Sequence, residues 1–202
     1  MKKSLVVLLG LAVILSSCVI PEKYTLDITV DKQSTYSVTF KGTLLFLMAL
    51  AEKEESGEIS ADTDNQIKNM FDDWVAAEPA ISNYEYRQDG RAYLEYTTSV
   101  SDGSRLDLTN SFQMPLIIST DENGNVIIEE TAVEDTDGMF EAFSNLGYSM
   151  DGTIRITSEL PIIDASGLKV SRSILGLFGN YVINQKITSF PSEDIIITIG
   201  KQ

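Results

Sequence analysis

Histidine is absent from all 202 residues, and cysteine occurs once, at position 18. Without an imidazole the chain has no Ser-His-Asp or Cys-His machinery, no common zinc site and no usual proton shuttle near neutral pH. A lone cysteine forms no disulfide within the chain, so the fold must rest on its core. No apolar run approaches the ~20 residues needed to span hydrocarbon as a helix. Cations are scarce: 15 Lys and Arg stand against 30 Asp and Glu, a formal net charge of −15. Such a surface repels polyanions, which excludes nucleic acid as a partner. Neither phosphate-binding nor dinucleotide-binding glycine patterns occur.

What is present begins at the start, MKKSLVVLLGLAVILSSCVIPEKYT. Lys2 and Lys3 precede an apolar or small run from Leu5 to Leu15, of signal-peptide length. Leu15-Ser16-Ser17-Cys18 then resembles the bacterial lipobox. That resemblance implies diacylglyceryl transfer to the Cys18 thiol, cleavage before it and acylation of the freed amine. One chain binds a bilayer marginally, whereas two or three are close to permanent. The expected boundaries are a signal peptide over 1–17, a short tether over 18–23 and one domain over 24–202. The tether reaches only about 20 Å, so the domain is expected to sit on the membrane. Val19 in place of Asp resembles the outer-membrane sorting preference; in a one-membrane host the address is the outer face of the cytoplasmic membrane.

Removing 17 residues leaves 185 and takes Lys2 and Lys3 away, moving the charge to −17. That length suffices for one domain with a proper core. Nine acids lie between Glu52 and Glu78 against Lys53 and Lys68, while from Pro161 onward three acids meet four cations. An anionic bilayer would therefore repel the C-terminal region least; a solvated acidic surface explains the same distribution.

Alternation in YTLDITV puts Leu26, Ile28 and Val30 on one strand face, and Tyr36, Val38 and Phe40 repeat it after an Asp31–Ser34 turn. TLLFLMALAEK predicts a helix apolar on every side, including Leu44, Phe46, Leu47 and Met48. A second helix follows, capped by Ser60 or Asp62, with Ile67, Met70, Phe71, Trp74 and Val75 on one face. Asp89-Gly90 and Asn123-Gly124 mark hairpin turns. A short third helix fits residues 137–146, burying Met139, Phe140, Phe143 and Leu146, and strands fit 153–160, 168–175, 181–187 and 194–199. The expected fold class is α+β, a largely antiparallel sheet with two to three helices packed on one face.

Candidate chemistry is thin. Ser166-Gly-Leu-Lys169 matches S-x-x-K, at the frequency chance predicts for 21 serines and 10 lysines. Asp121-Glu-Asn-Gly-Asn125 fits a hairpin turn better than a calcium loop, since its glycine comes at the fourth position. Asp135-Thr-Asp137-Gly138 reads as a turn and helix cap. The expectation is no enzyme, no metal and no cofactor.

An apolar surplus is the feature that points to a ligand. Beside the 44–50 stretch, SILGLFGNYV places Ile174, Leu177 and Phe178 among glycines at a turn. Leu44, Phe46, Leu47, Met48, Trp74, Ile174, Leu177 and Phe178 are the candidate contacts for a lipid, another apolar ligand or the bilayer. Ordinary core packing explains the same residues. An envelope protein docking on a sheet edge or the acidic face is the alternative partner.

The order of pieces, with ISNYEYRQDGRAYLEYT in the middle and TIRITSELPIIDASGLKV…NYVINQKI late, resembles the LppM-type bacterial lipoprotein domain. The tryptophan of that family's last hairpin is missing here, where Tyr181-Val182-Ile183 stand. The resemblance implies a surface α+β module with lipid or glycolipid handling and no catalysis.

Overall fold

The computed structural model describes residues 19–101, 103–112, 114–135, 138–172 and 179–200. Two long strands, β1 (Val19–Val30) and β2 (Tyr36–Phe46), lead into helices α1 (Leu47–Ser56) and α2 (Ala61–Ala77). Next come β3 (Ile81–Tyr86), β4 (Arg91–Val100), β5 (Leu106–Asp107) and the single turn α3 (Thr109–Phe112). The hairpin β6 (Leu116–Thr120) and β7 (Val126–Glu130) precedes α4 (Met139–Asn145) and β8 (Asp151–Ser158). Four strands close the chain: β9 (Ile162–Asp164), β10 (Ser171–Arg172), β11 (Tyr181–Ile187) and β12 (Ile195–Ile199).

The α+β class and the largely antiparallel pairing hold, but the strands divide between two sheets. One has the order β10-β11-β8-β1-β2-β4-β3 and the other β5-β6-β7-β12-β9. Among the described residues, only β1 and β8 pair in parallel. Carboxylates close two of the turns: Asp31 Oδ1 accepts the amides of Gln33 at 2.8 Å and Thr35 at 2.9 Å. Asp121 Oδ1 does the same for Asn123 and Asn125, each at 2.8 Å, so its oxygens serve the hairpin.

Alternation makes one face of the larger sheet apolar. Leu26, Ile28, Val30, Val38, Phe40 and Leu94 are each fully buried there, a contribution of about 1.5–3 kcal/mol per side chain. The smaller sheet and α2 share the cover of this face. Phe112 of α3 stacks on Phe40 at 4.8 Å and meets Tyr96 at 5.0 Å and Trp74 at 5.8 Å, edge-on to both. Phe71 of α2 lies edge-on to Phe46, ring centroids 5.8 Å apart. Ser60 is the cap of α2, its Oγ accepting from the Thr63 amide at 3.2 Å.

Three expectations are corrected. Strand β1 starts at Val19, so residues 19–23 are paired strand and not tether; Val19 to Pro21 face Phe46 to Leu44. The helix expected from Leu44 begins only at Leu47, because Leu44, Leu45 and Phe46 continue β2 and pair with β1. Eight successive apolar residues, Leu44 to Ala51, fit a doubly buried strand as well as a helix. Helix α4 contains no buried residue, although Phe140 stacks on Phe190 at 4.7 Å and Phe143 meets Tyr148 at 6.1 Å.

Candidate functional site

Tyr24 is the natural starting point. Its two register partners are both glycine, Gly42 on β2 and Gly152 on β8. A Cβ on Gly152 would sit 2.3 Å from the Tyr24 ring, and one on Gly42 would sit 2.5 Å from the Lys23 carbonyl oxygen. The missing side chains let the phenol lie flat over the sheet, stacked at 5.8 Å on Phe40.

Around this ring the two sheets meet in a narrow seam. The larger sheet supplies Pro21, Tyr24, Met150, Ile154 and Ile187; the smaller layer supplies Met114, Pro115, Leu116 and Glu130; Phe190 and Pro191 close the mouth. The space inside is about 10 Å³, the room one water requires. The lining is apolar except for the Tyr24 hydroxyl and one carboxyl. Glu130 is only 7% exposed, and Gln185 Nε2 donates to its Oε2 at 3.1 Å across the seam. Burial raises the proton affinity of that carboxyl above the usual carboxylate range, against the opposing effect of the Gln185 bond. Burial, with Glu130 nearby, also keeps the Tyr24 phenol protonated. Tyr148 is held protonated by its own burial and donates to the Pro21 carbonyl at 2.8 Å. The seam thus offers the Tyr24 hydroxyl and one proton-hungry acid within an otherwise apolar slot, with Tyr148 bracing its Pro21 wall.

Beside it, Glu22 occupies a β-bulge between Pro21 and Lys23. The Arg91 guanidinium binds it with two donors, Nε to Oε2 and Nη2 to Oε1, each at 2.9 Å. At the bulge Ile20, Pro21 and Glu22 are buried in succession, and the inward alternation of β1 runs unbroken from Lys23 onward.

The expected contact residues do not form one lining. Leu44 is fully buried and Phe46 is 4% exposed, both within the core. Leu47 and Met48 are half-buried in the first turn of α1, and half-buried Trp74 lies between Phe71 and Phe112. Ile174, Leu177 and Phe178 lie outside the described residues, as does Cys18. Arg172 and Tyr181, on either side of the undescribed residues 173–178, pair with each other; Tyr181 pairs with Ser158, which pairs with Val30. Arg172 and Tyr181 therefore stand at the end of β1 opposite Val19, roughly 35 Å away along the strand. Ser166 of the S-x-x-K match has its hydroxyl committed to the Ile196 backbone, donating at 2.8 Å and accepting at 2.9 Å.

Glu130 was legible in principle. In VIIEE, Val126 and Ile128 face inward, and the same alternation carries Glu130 inward too. No protein-family model matches the chain, and no curated protein matches it.

Proposed function

We propose that the chain is a membrane-anchored lipoprotein of the bacterial envelope, acylated at Cys18, whose domain binds a lipid or other apolar ligand at the seam around Tyr24 and Glu130. One observation carries the choice of site: Pro21 and Tyr24 line the seam three and six residues after the lipobox cysteine. With β1 starting at Val19, the seam stays at the anchored end of the domain. An acyl chain would lie against Met114, Leu116 and Met150, and the Glu130 carboxyl with the Tyr24 phenol would meet a polar head. Entry requires the Phe190-Pro191 segment to swing aside, since the closed seam holds about one water. The LppM-type resemblance supports the same direction.

The test has two parts. Cys18→Ser should abolish acyl labelling and release the protein from membranes; persistent membrane attachment overturns the anchor. Native mass spectrometry of the secreted Cys18→Ser domain should show a lipid adduct, reduced in Met150→Glu. A uniformly ligand-free mass overturns the binding site and leaves the anchor standing.

One observation favours the alternative, a structural lipoprotein that docks an envelope protein. Strand β3 is an edge of the larger sheet, with Ser82, Asn83 and Glu85 exposed. Photo-crosslinkers at Asn83 should then capture one dominant partner in cells; an even smear of products counts against it.

A further inference from the structure

Registration across the larger sheet assembles a surface that no segment of the chain contains. On the face away from the core, Lys23 aligns with Asp151, Lys41 with Thr25 and Glu95, Arg155 with Asp27, and Lys186 with Thr153. Lys23, Asp27, Lys41, Arg155 and Lys186 are all exposed. Four cations meet three carboxylates, so this face carries a net charge of +1 on a chain of −15. At its margin Arg87 pairs with Glu85 and changes nothing in that balance. Lys41 pairs with Glu95 at 3.1 Å and Lys186 with Asp151, whereas Lys23 and Arg155 make no ion pair among the described residues. Thr25, Thr29 and Thr97, also exposed, set hydroxyls between these charges.

We infer that this open face of the seven-stranded sheet lies against the bilayer and takes anionic phospholipid headgroups, with Arg155 and Lys23 as its phosphate contacts. The inference rests on the anchoring proposed above and goes beyond it by giving the domain an orientation. Five of the acids that make the chain repulsive stand behind this face. Those of α2 are on the opposite layer, as is Glu129, in a sheet packed about 10 Å away. The screening length at physiological salt is ~8 Å, so their field is largely spent before it reaches the headgroups. A weak attraction suffices, because a lipid chain one residue before β1 holds the face at high effective concentration. Guanidinium and hydroxyl donors match phosphate oxygens, which accept several hydrogen bonds at once.

The test uses the mature lipidated protein in vesicles of phosphatidylethanolamine with phosphatidylglycerol, some headgroups carrying a nitroxide. A fluorophore is attached through Thr97→Cys on the open face or through Ile196→Cys, an exposed position on the other sheet. Quenching should be several-fold stronger at position 97 than at 196. It should fall toward the level at 196 with Lys23→Glu/Arg155→Glu, with the milder Lys23→Gln/Arg155→Gln, and in phosphatidylcholine vesicles. Circular dichroism checks that each variant is folded. Equal quenching at both positions, or indifference to lipid charge in folded variants, overturns the orientation while flotation with vesicles upholds the anchor. Failure of the unsubstituted protein to float removes the anchor, and the orientation with it.

Discussion

Glu130 and Gln185, 55 positions apart in sequence, meet across the seam between the two sheets with Nε2 donating to Oε2 at 3.1 Å. The bond joins β7 to β11 and is the polar link within an otherwise apolar slot. Because burial raises the folded-state proton affinity of Glu130, its protonated form favours the native state. Its contribution to stability is full below the unfolded carboxylate pKa, about 4.3, and is lost as pH rises through the higher folded value. Glu130→Gln should therefore stabilise the domain at pH 8 relative to the parent, and the gain should shrink toward pH 4. Urea melts at the two pH values read this directly; an equal difference at both would rule it out.

Phe112 ties together three rings, those of Phe40, Trp74 and Tyr96. Phe112→Ala should cost about 3–5 kcal/mol, the range for a deleted core aromatic. Trp74 is the only tryptophan, so its emission should shift to the red in the folded variant as one flank opens. Unchanged emission together with unchanged stability would contradict the packing.

Gly152 gives its space to Tyr24, and any side chain there meets the ring. Gly152→Ala should destabilise by about 1–3 kcal/mol, as overpacking does. Tyr24→Ala in the same chain should recover part of that loss, because the clash goes with the ring. Differential scanning calorimetry of the two single variants and the double variant measures the coupling; strict additivity would show that the two positions do not touch.

Arg91 and Glu22 form a partly buried pair with two parallel bonds, their side chains 27% and 10% exposed. Removing one partner strands the other, so Arg91→Ala should cost about 1–3 kcal/mol. Glu22→Gln/Arg91→Met should come closer to the parent than Arg91→Ala does, since no charge is then left stranded. Chemical denaturation of these variants tests the order, and a double variant less stable than Arg91→Ala would reverse it.

Much of the local structure is readable residue by residue. Alternation in β1 and β2, the Asp31 and Asn123-Gly124 turns, and the Ser60 cap and apolar stripe of α2 all depend on neighbours within a few positions. Leu44 to Phe46 defeated the same approach, because a strand covered on both faces loses its period of two and imitates a buried helix. Apolar character is the one property that joins the candidate contacts at 44–48 to those at 174–178. The register assigns Leu44 and the Arg172–Tyr181 pair to opposite ends of β1.

By itself, then, the sequence determined the α+β class, the places where the chain turns, the absence of imidazole chemistry and the inward phase of most strands. Tertiary structure alone decided that the strands of the described residues divide between two sheets, that a buried acid faces Gln185, and that Lys23, Lys41, Arg155 and Lys186 share one face. The physical reason is range. Which side of a strand a residue occupies follows from its immediate neighbours, whereas which strand lies alongside is settled by burial and hydrogen bonding summed over segments more than a hundred residues apart.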